Sequence, residues 1–210
     1  MLWWTLRALL TAALPAGMRW SELIVATRPD EREVVAALCE SLKAVAPVPL
    51  RLVTGGAERQ ASVANAVCAA TGDFVLVHDA ARPLVAGELI QRVCAAARQD
   101  GAAILAIPAS DTVKAAVSQN GRMVIQETLE RGTIWLAQTP QVFRREVLAE
   151  ALAQAAQTGY QGTDCASLVE RLKDAAGEPA YPVTIVAGEV GNFKVTYPPD
   201  LERAAALLKV

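Results

Sequence analysis

From residue 21 onward, short apolar runs alternate with longer stretches in which apolar residues recur every three or four positions. Glu22–Thr27 (ELIVAT) reads as a strand, and Pro29–Val45 carries helical periodicity. Pro49–Val53 is strand-like and closes on Thr54-Gly55-Gly56, after which Val63, Val67 and Ala70 place an amphipathic helix over Glu58–Ala70. Phe74–Val77 is a continuous apolar strand. The turn-like HDAARP follows it, then a helix over Ala86–Arg98 and a buried strand over Ala102–Ile107. This alternation predicts an α/β domain whose mostly parallel sheet is flanked by helices on both faces.

The rhythm breaks at Pro108. Thr112–Thr128 alternates imperfectly around Asn120-Gly121, the residue pair that a type I′ turn favours, so a β-hairpin is predicted over about 112–128. Such an arm projects from the sheet with unpaired edges, which a second copy of the chain could cover. Beyond it, Trp135–Gln138 is short and extended before Thr139-Pro140. Helices are predicted over Arg144–Gln157 and Thr163–Ala175, strands over Val183–Val186 and Phe193–Thr196, and a terminal helix over Pro199–Leu208. With no repeat, linker or low-complexity stretch, residues 1–210 read as one domain with an arm.

Composition narrows the function classes. The chain is 53% hydrophobic, which excludes disorder, and its net charge of −2 gives no basic footprint for nucleic acid. An anionic ligand must therefore be held by a few placed Arg and Lys side chains. Met1–Leu14 is apolar but interrupted by Arg7 and too short to span a bilayer. It reads as a buried helix of the domain rather than a signal peptide, so a cytoplasmic protein without membrane contact is expected. Cys39, Cys68, Cys94 and Cys165 are far apart and read as buried free thiols of a reducing compartment. One histidine and no cysteine pair argue against a zinc site.

Candidate chemistry lies where ligands bind open α/β sheets, beyond the carboxyl ends of the strands. In Thr54–Ser62, two glycines allow close approach to the backbone and free the amides of the following helix, although Gly-Gly alone also suits an unliganded helix entry. Asp79 ends an apolar strand, where a carboxylate needs a cation. Mg²⁺ carried by a polyphosphate would serve, and so would pairing with Arg82 across the turn. His78, the only histidine, should point away from Asp79 and serve packing or hydrogen bonding. Lys194 falls in the strand-like GNFKVT segment.

Taken together, GGAERQASVANA, LVHDAARPLV, PASDTVK, TLERGTIWLAQTPQVF, TDCASLVE and GNFKVTYPPDLERA stand in the order and spacing of the 2-C-methyl-D-erythritol 4-phosphate cytidylyltransferases. The sequence resembles that family from about residue 5 to its end. The resemblance implies a fold of the nucleotide-diphospho-sugar transferase type and a homodimer clasped through the β-arm. It also implies transfer of CMP from CTP to 2-C-methyl-D-erythritol 4-phosphate with Mg²⁺, releasing pyrophosphate, in the non-mevalonate isoprenoid pathway. Motif by motif, Gly55, Gly56 and Ser62 would meet the cytosine, and Asp79 would hold the metal. Arg82, Thr112, Arg131, Thr139 and Lys194 would meet the 2-C-methyl-D-erythritol 4-phosphate, some from the partner subunit. Asp79, Lys194 and Arg131 would carry the catalysis.

The sequence departs from the family pattern in three places. The family opens with a strand and a loop of the kind PAAG-x-G-x-R, followed by a P-K-Q lysine. The first glycine here is Gly17, and Met1 falls where the family's next helix begins. Weak CTP binding and little turnover are therefore expected of these 210 residues by themselves. Cys165 stands where TDCAS would carry an acid, and Gly191 replaces a usual acid before Asn192. Other readings are the same chemistry on a different polyol phosphate, such as ribitol 5-phosphate, and a non-catalytic dimeric remnant.

Overall fold

A computed structural model describes residues 1–45 and 48–209. Helix α1 (Leu2–Thr11) precedes strand β1 (Leu23–Thr27), and helix α2 (Arg32–Ser41) leads to strand β2 (Leu50–Thr54). β1 and β2 pair in parallel, Leu23 opposite Leu50 through Thr27 opposite Thr54. Helix α3 (Arg59–Ala69), strand β3 (Phe74–Val77), helix α4 (Gly87–Asp100) and strand β4 (Ala102–Pro108) follow. Then come the hairpin strands β5 (Lys114–Gln119) and β6 (Arg122–Thr128), strand β7 (Trp135–Arg144), helices α5 (Arg145–Thr158) and α6 (Ala166–Val169), strand β8 (Thr184–Ala187) and helix α7 (Pro198–Leu208).

The main sheet has the order β3-β7-β4-β8. β3, β4 and β8 run in one direction, and β7 lies antiparallel between β3 and β4. Alternation along β4 separates two cores. Ala102 and Ile104 face α5 and α6, with Val75, Phe143, Val147, Leu148 and Val169, whereas Ala103 and Leu105 face α4, with Leu89, Ile90 and Val93. β4 is therefore apolar at successive positions, as a strand covered on both faces must be.

β1 and β2 form a separate two-stranded piece. Between β1 and β3 lies a cleft of about 1310 Å³, lined by Leu23–Ala26 on one side and Phe74–Val77 on the other. α1 bridges it on the α4 face, with Leu9 packed among the α4 residues and Leu6 and Leu10 against Cys39 and Leu42. On the other face α3 bridges it, with Val67 in the α5 core.

Several details differ from the sequence reading. The expected single sheet is two pieces, with β7 antiparallel within the larger. β7 does not stop before Thr139-Pro140 but continues to Arg144, the Thr139-Pro140 peptide being cis. The ladder to β4 shifts register around it, Ile104 pairing with Gln141 and Ala106 with Ala137, so the proline falls at an irregularity where its missing N–H breaks no ladder. The helix expected over Thr163–Ala175 is only one turn, Ala166–Val169; Asp164 Oδ1 accepts from Ser167 N at its start, and a turn at Asp174–Gly177 ends the segment. The segment Phe193–Thr196 is no strand, since among the described residues a single backbone hydrogen bond, Val195 N to Ala81 O, joins it to a neighbour. Finally, the four cysteines are free, but Cys68 is exposed on the outer face of α3.

β5 and β6 pair antiparallel, Lys114 opposite Thr128 through Gln119 opposite Arg122. Asn120 (φ 51°) and Gly121 (φ 75°) form its tip, both in the left-handed region that the type I′ turn demands. Every residue of β6 is exposed, including Met123 and Ile125.

Candidate active site

The carboxyl ends of β1, β2 and β3 meet at one rim. Gly55 N donates to Thr27 O at 2.8 Å, which ties the end of β1 to the turn after β2. Gly56 N donates to Ser62 Oγ at 3.0 Å, and Ser62 Oγ donates to Glu58 O at 3.1 Å, so Ser62 folds the turn onto the start of α3. A Cβ at position 56 would stand 2.3 Å from Ala61 Cβ, which explains why the chain needs glycine there.

That turn delivers Arg59, the first residue of α3, to Asp79 at the end of β3. Arg59 Nη2 and Nε lie 3.2 and 3.3 Å from Asp79 Oδ1, and Lys194 Nζ lies 3.3 Å from Oδ2. Arg82 Nε stands 3.9 Å from Oδ2 while Arg82 Nη1 donates to Asn192 O at 2.7 Å. Burial alone would raise the Asp79 pKa, but the charges of Arg59 and then Lys194 outweigh it and hold the carboxyl below its usual range. Burial pulls Arg82 below the ordinary guanidinium range against the pull of Asp79, yet an arginine in this setting stays protonated.

Three cations thus surround one carboxylate, leaving two positive charges uncompensated at a rim that the solvent reaches. Such a site favours a polyanion. Among the described residues, no group of three His, Cys, Asp or Glu side chains could hold a metal. One carboxylate suits Mg²⁺ only when phosphate oxygens supply further ligands, which is how that ion is commonly held.

The turn after β3 is braced from behind. Asp79 N donates to Thr139 Oγ1 at 3.0 Å, Thr139 Oγ1 lies 2.9 Å from His78 Nδ1, and His78 Nε2 lies 3.1 Å from Arg82 O. A peptide oxygen only accepts, so Nε2 carries the proton and Nδ1 accepts from the threonine hydroxyl. Burial lowers the His78 pKa to about 4, which keeps the ring neutral. His78 therefore has the hydrogen-bonding role read from the sequence, and Thr139 is buried with its hydroxyl committed to this brace.

The structure brings together Gly55, Gly56, Ser62, Asp79, Arg82, Thr139 and Lys194. Within one chain it leaves Thr112 and Arg131 apart from them. Both are exposed at the base of the arm, where Arg131 Nη1 donates to Ser110 O at 2.9 Å. Sequence reading missed Arg59, since an arginine near a helix start looks like surface charge until its contact across twenty residues is seen. Cys165, at the position of the replaced acid, is buried with Sγ 3.9 Å from Arg59 Nη1. Burial pushes its thiol up to about 11, so it leaves the Arg59 charge to Asp79.

Comparison with known proteins is consistent along the whole chain. The family model described as IspD, 2-C-methyl-D-erythritol 4-phosphate cytidylyltransferase, matches residues 1–210. A bifunctional enzyme IspD/IspF of Anaeromyxobacter dehalogenans is 52% identical over 161 residues, 77% of this chain and 40% of that protein. A 2-C-methyl-D-erythritol 4-phosphate cytidylyltransferase of Acidobacterium capsulatum is 44% identical over 208 residues, 98% of this chain and 81% of that protein. The crystal structure of the cytidylyltransferase of that name from Thermus thermophilus superposes with a TM-score of 0.70 at 35% identity, covering 92% of this chain and all of that one. The chain thus spans well under two thirds of the bifunctional relative.

Proposed function

The chain belongs to the 2-C-methyl-D-erythritol 4-phosphate cytidylyltransferase family, and from that premise we propose that the protein transfers CMP from CTP to 2-C-methyl-D-erythritol 4-phosphate, releasing pyrophosphate, in non-mevalonate isoprenoid biosynthesis. The observation that carries this reading is the meeting of Arg59, Arg82 and Lys194 on Asp79 beside the Gly55-Gly56 turn. An oxygen of the acceptor's phosphate monoester bonds to the α-phosphorus of CTP while the bond from that phosphorus to the bridging oxygen breaks. The electron pair leaves with pyrophosphate. The attacking oxygen is already ionised at neutral pH, so no general base is needed, and neutral His78 spends both nitrogens on the brace.

The residues of this chain align two polyanions and hold charge against them. Gly55, Gly56 and Ser62 form the turn that takes the cytosine. Lys194 and Arg82 take the acceptor phosphate, with Arg59 added as a third cation. Asp79 would hold Mg²⁺ bound to the triphosphate, and the ion would supply neutralisation of the phosphate oxygens. Phosphates arriving at the rim would draw Lys194 and Arg59 from Asp79 and free its oxygens for the ion.

The protein would act as a homodimer. The exposed apolar residues of β6 suit a partner copy, and Thr112 and Arg131 at the base of the arm would enter the partner's site with it. Its free thiols suit the cytoplasm.

Pyrophosphate release from CTP, measured with 2-C-methyl-D-erythritol 4-phosphate and separately with ribitol 5-phosphate, tests the reading. Release with the first and a loss of at least about 10²-fold in Asp79→Asn are expected. Release only with the second would transfer the chemistry to the other polyol, and wild-type turnover by a folded Asp79→Asn would overturn the role of Asp79.

A further inference from the structure

Behind the cation cluster, one residue whose side chain is shut away from solvent joins three of the site segments through its amide and its peptide group. Asn192 is 1% exposed. Its Nδ2 donates to Thr139 O at 2.8 Å and to Gln138 Oε1 at 3.2 Å, both on β7. Its peptide oxygen accepts from Arg82 Nη1 at 2.7 Å, and its peptide N–H donates to Glu189 O at 3.1 Å. Gln138 Nε2 donates to the same Glu189 oxygen at 2.8 Å, so the loop from β8 is clipped to β7 from both directions. Two residues later Lys194 reaches Asp79, and Val195 N donates to Ala81 O at 2.8 Å.

We propose that Asn192 is a positioning residue of this site, which fixes Lys194 and Arg82 against Asp79 without touching either substrate. The proposal rests on the function given above for its reaction, though not for its geometry. Lys194 is a point charge on a long flexible stem, and its segment belongs to no strand, so the place of its ammonium depends on where the backbone starts. Asn192 and Val195 set that start from either side. The amide is used for its donors rather than its bulk: Asn192 Oδ1 is buried without a partner, a cost that an apolar side chain of similar size would avoid. Nδ2 meanwhile answers two acceptors that would otherwise be orphaned in the interior. The Arg82 guanidinium, whose Nε is likewise buried without a hydrogen-bond partner, has Asn192 O as its one such partner among the described residues, so losing the loop would release both cations together.

A double-mutant cycle tests this. Asn192→Ala, Lys194→Met and the pair are compared for inorganic phosphate affinity by calorimetry and for kcat with CTP and the acceptor, after thermal melts show cooperative folding. Asn192→Ala alone is expected to weaken phosphate about tenfold or more, and at most about a third of that factor should remain in the Lys194→Met background, because residues that act together are not additive. Equal factors in the two backgrounds, or unchanged phosphate affinity in a folded Asn192→Ala, would overturn the proposal. Should Asn192→Ala fail to fold, Asn192→Ser reads the same cycle. Coupled phosphate binding with no release of pyrophosphate from CTP would leave the positioning role standing and sink the assigned reaction instead.

Discussion

His78 links a single side chain to the pH response of the protein. Its ring is neutral in the folded state, with a pKa lowered to about 4, whereas in the unfolded chain it returns to about 6.5. Between those values the unfolded state binds more protons, so stability falls as the pH drops through the interval. Denaturant unfolding should show a loss of up to about 3 kcal/mol from pH 6.5 to 4, and His78→Gln should flatten the curve in that window. An unchanged slope in the variant would mean that other groups cause the loss. At this scale the sequence was informative wherever a charge interrupts an apolar run, as with Asp79, and silent where charge lies on an amphipathic helix, as with Arg59. Asn192 was equally invisible, because its value lies in tertiary acceptors on β7 that no local pattern announces.

Among the elements, the arm was the most legible and the late segments the least. Asn120-Gly121 encodes its turn locally, with each residue at the positive φ that the turn requires. The short α6 and the irregular Phe193–Thr196 are shaped by contacts with distant segments, Gln141 with Asp164 and Arg82 with Asn192, which override periodicity. A two-stranded hairpin is marginal by itself in water, and β6 is exposed throughout, with Met123 70% and Ile125 59% accessible. Covering that surface with a second copy predicts that Ile125→Glu raises the dimer dissociation constant at least about tenfold by sedimentation, with the main sheet intact. A variant as dimeric as the wild type would remove the arm from the interface.

For the molecule as a whole, layer class and helix placement follow from the alternation, but strand order does not, because periodicity carries no information on which edges meet. The cleft between β1 and β3 leaves a signature in amide hydrogen exchange. Leu23 N–H points at β2, where it donates to Pro49 O, so strand alternation sends the Val25 and Thr27 amides the same way and those of Ile24 and Ala26 into the cleft. Asp73 O accepts from Arg145 N at the β7 side, so Val75 and Val77 face β7 and Phe74 and Leu76 face the cleft. Exchange rates should therefore alternate residue by residue, with Ile24, Ala26, Phe74 and Leu76 fast and their neighbours protected by the ladders. Uniform slow exchange along both strands would show those amides to be bonded across the gap. With the alternation observed, the two sheet pieces would open as separate units of stability, held together mainly by α1 and α3.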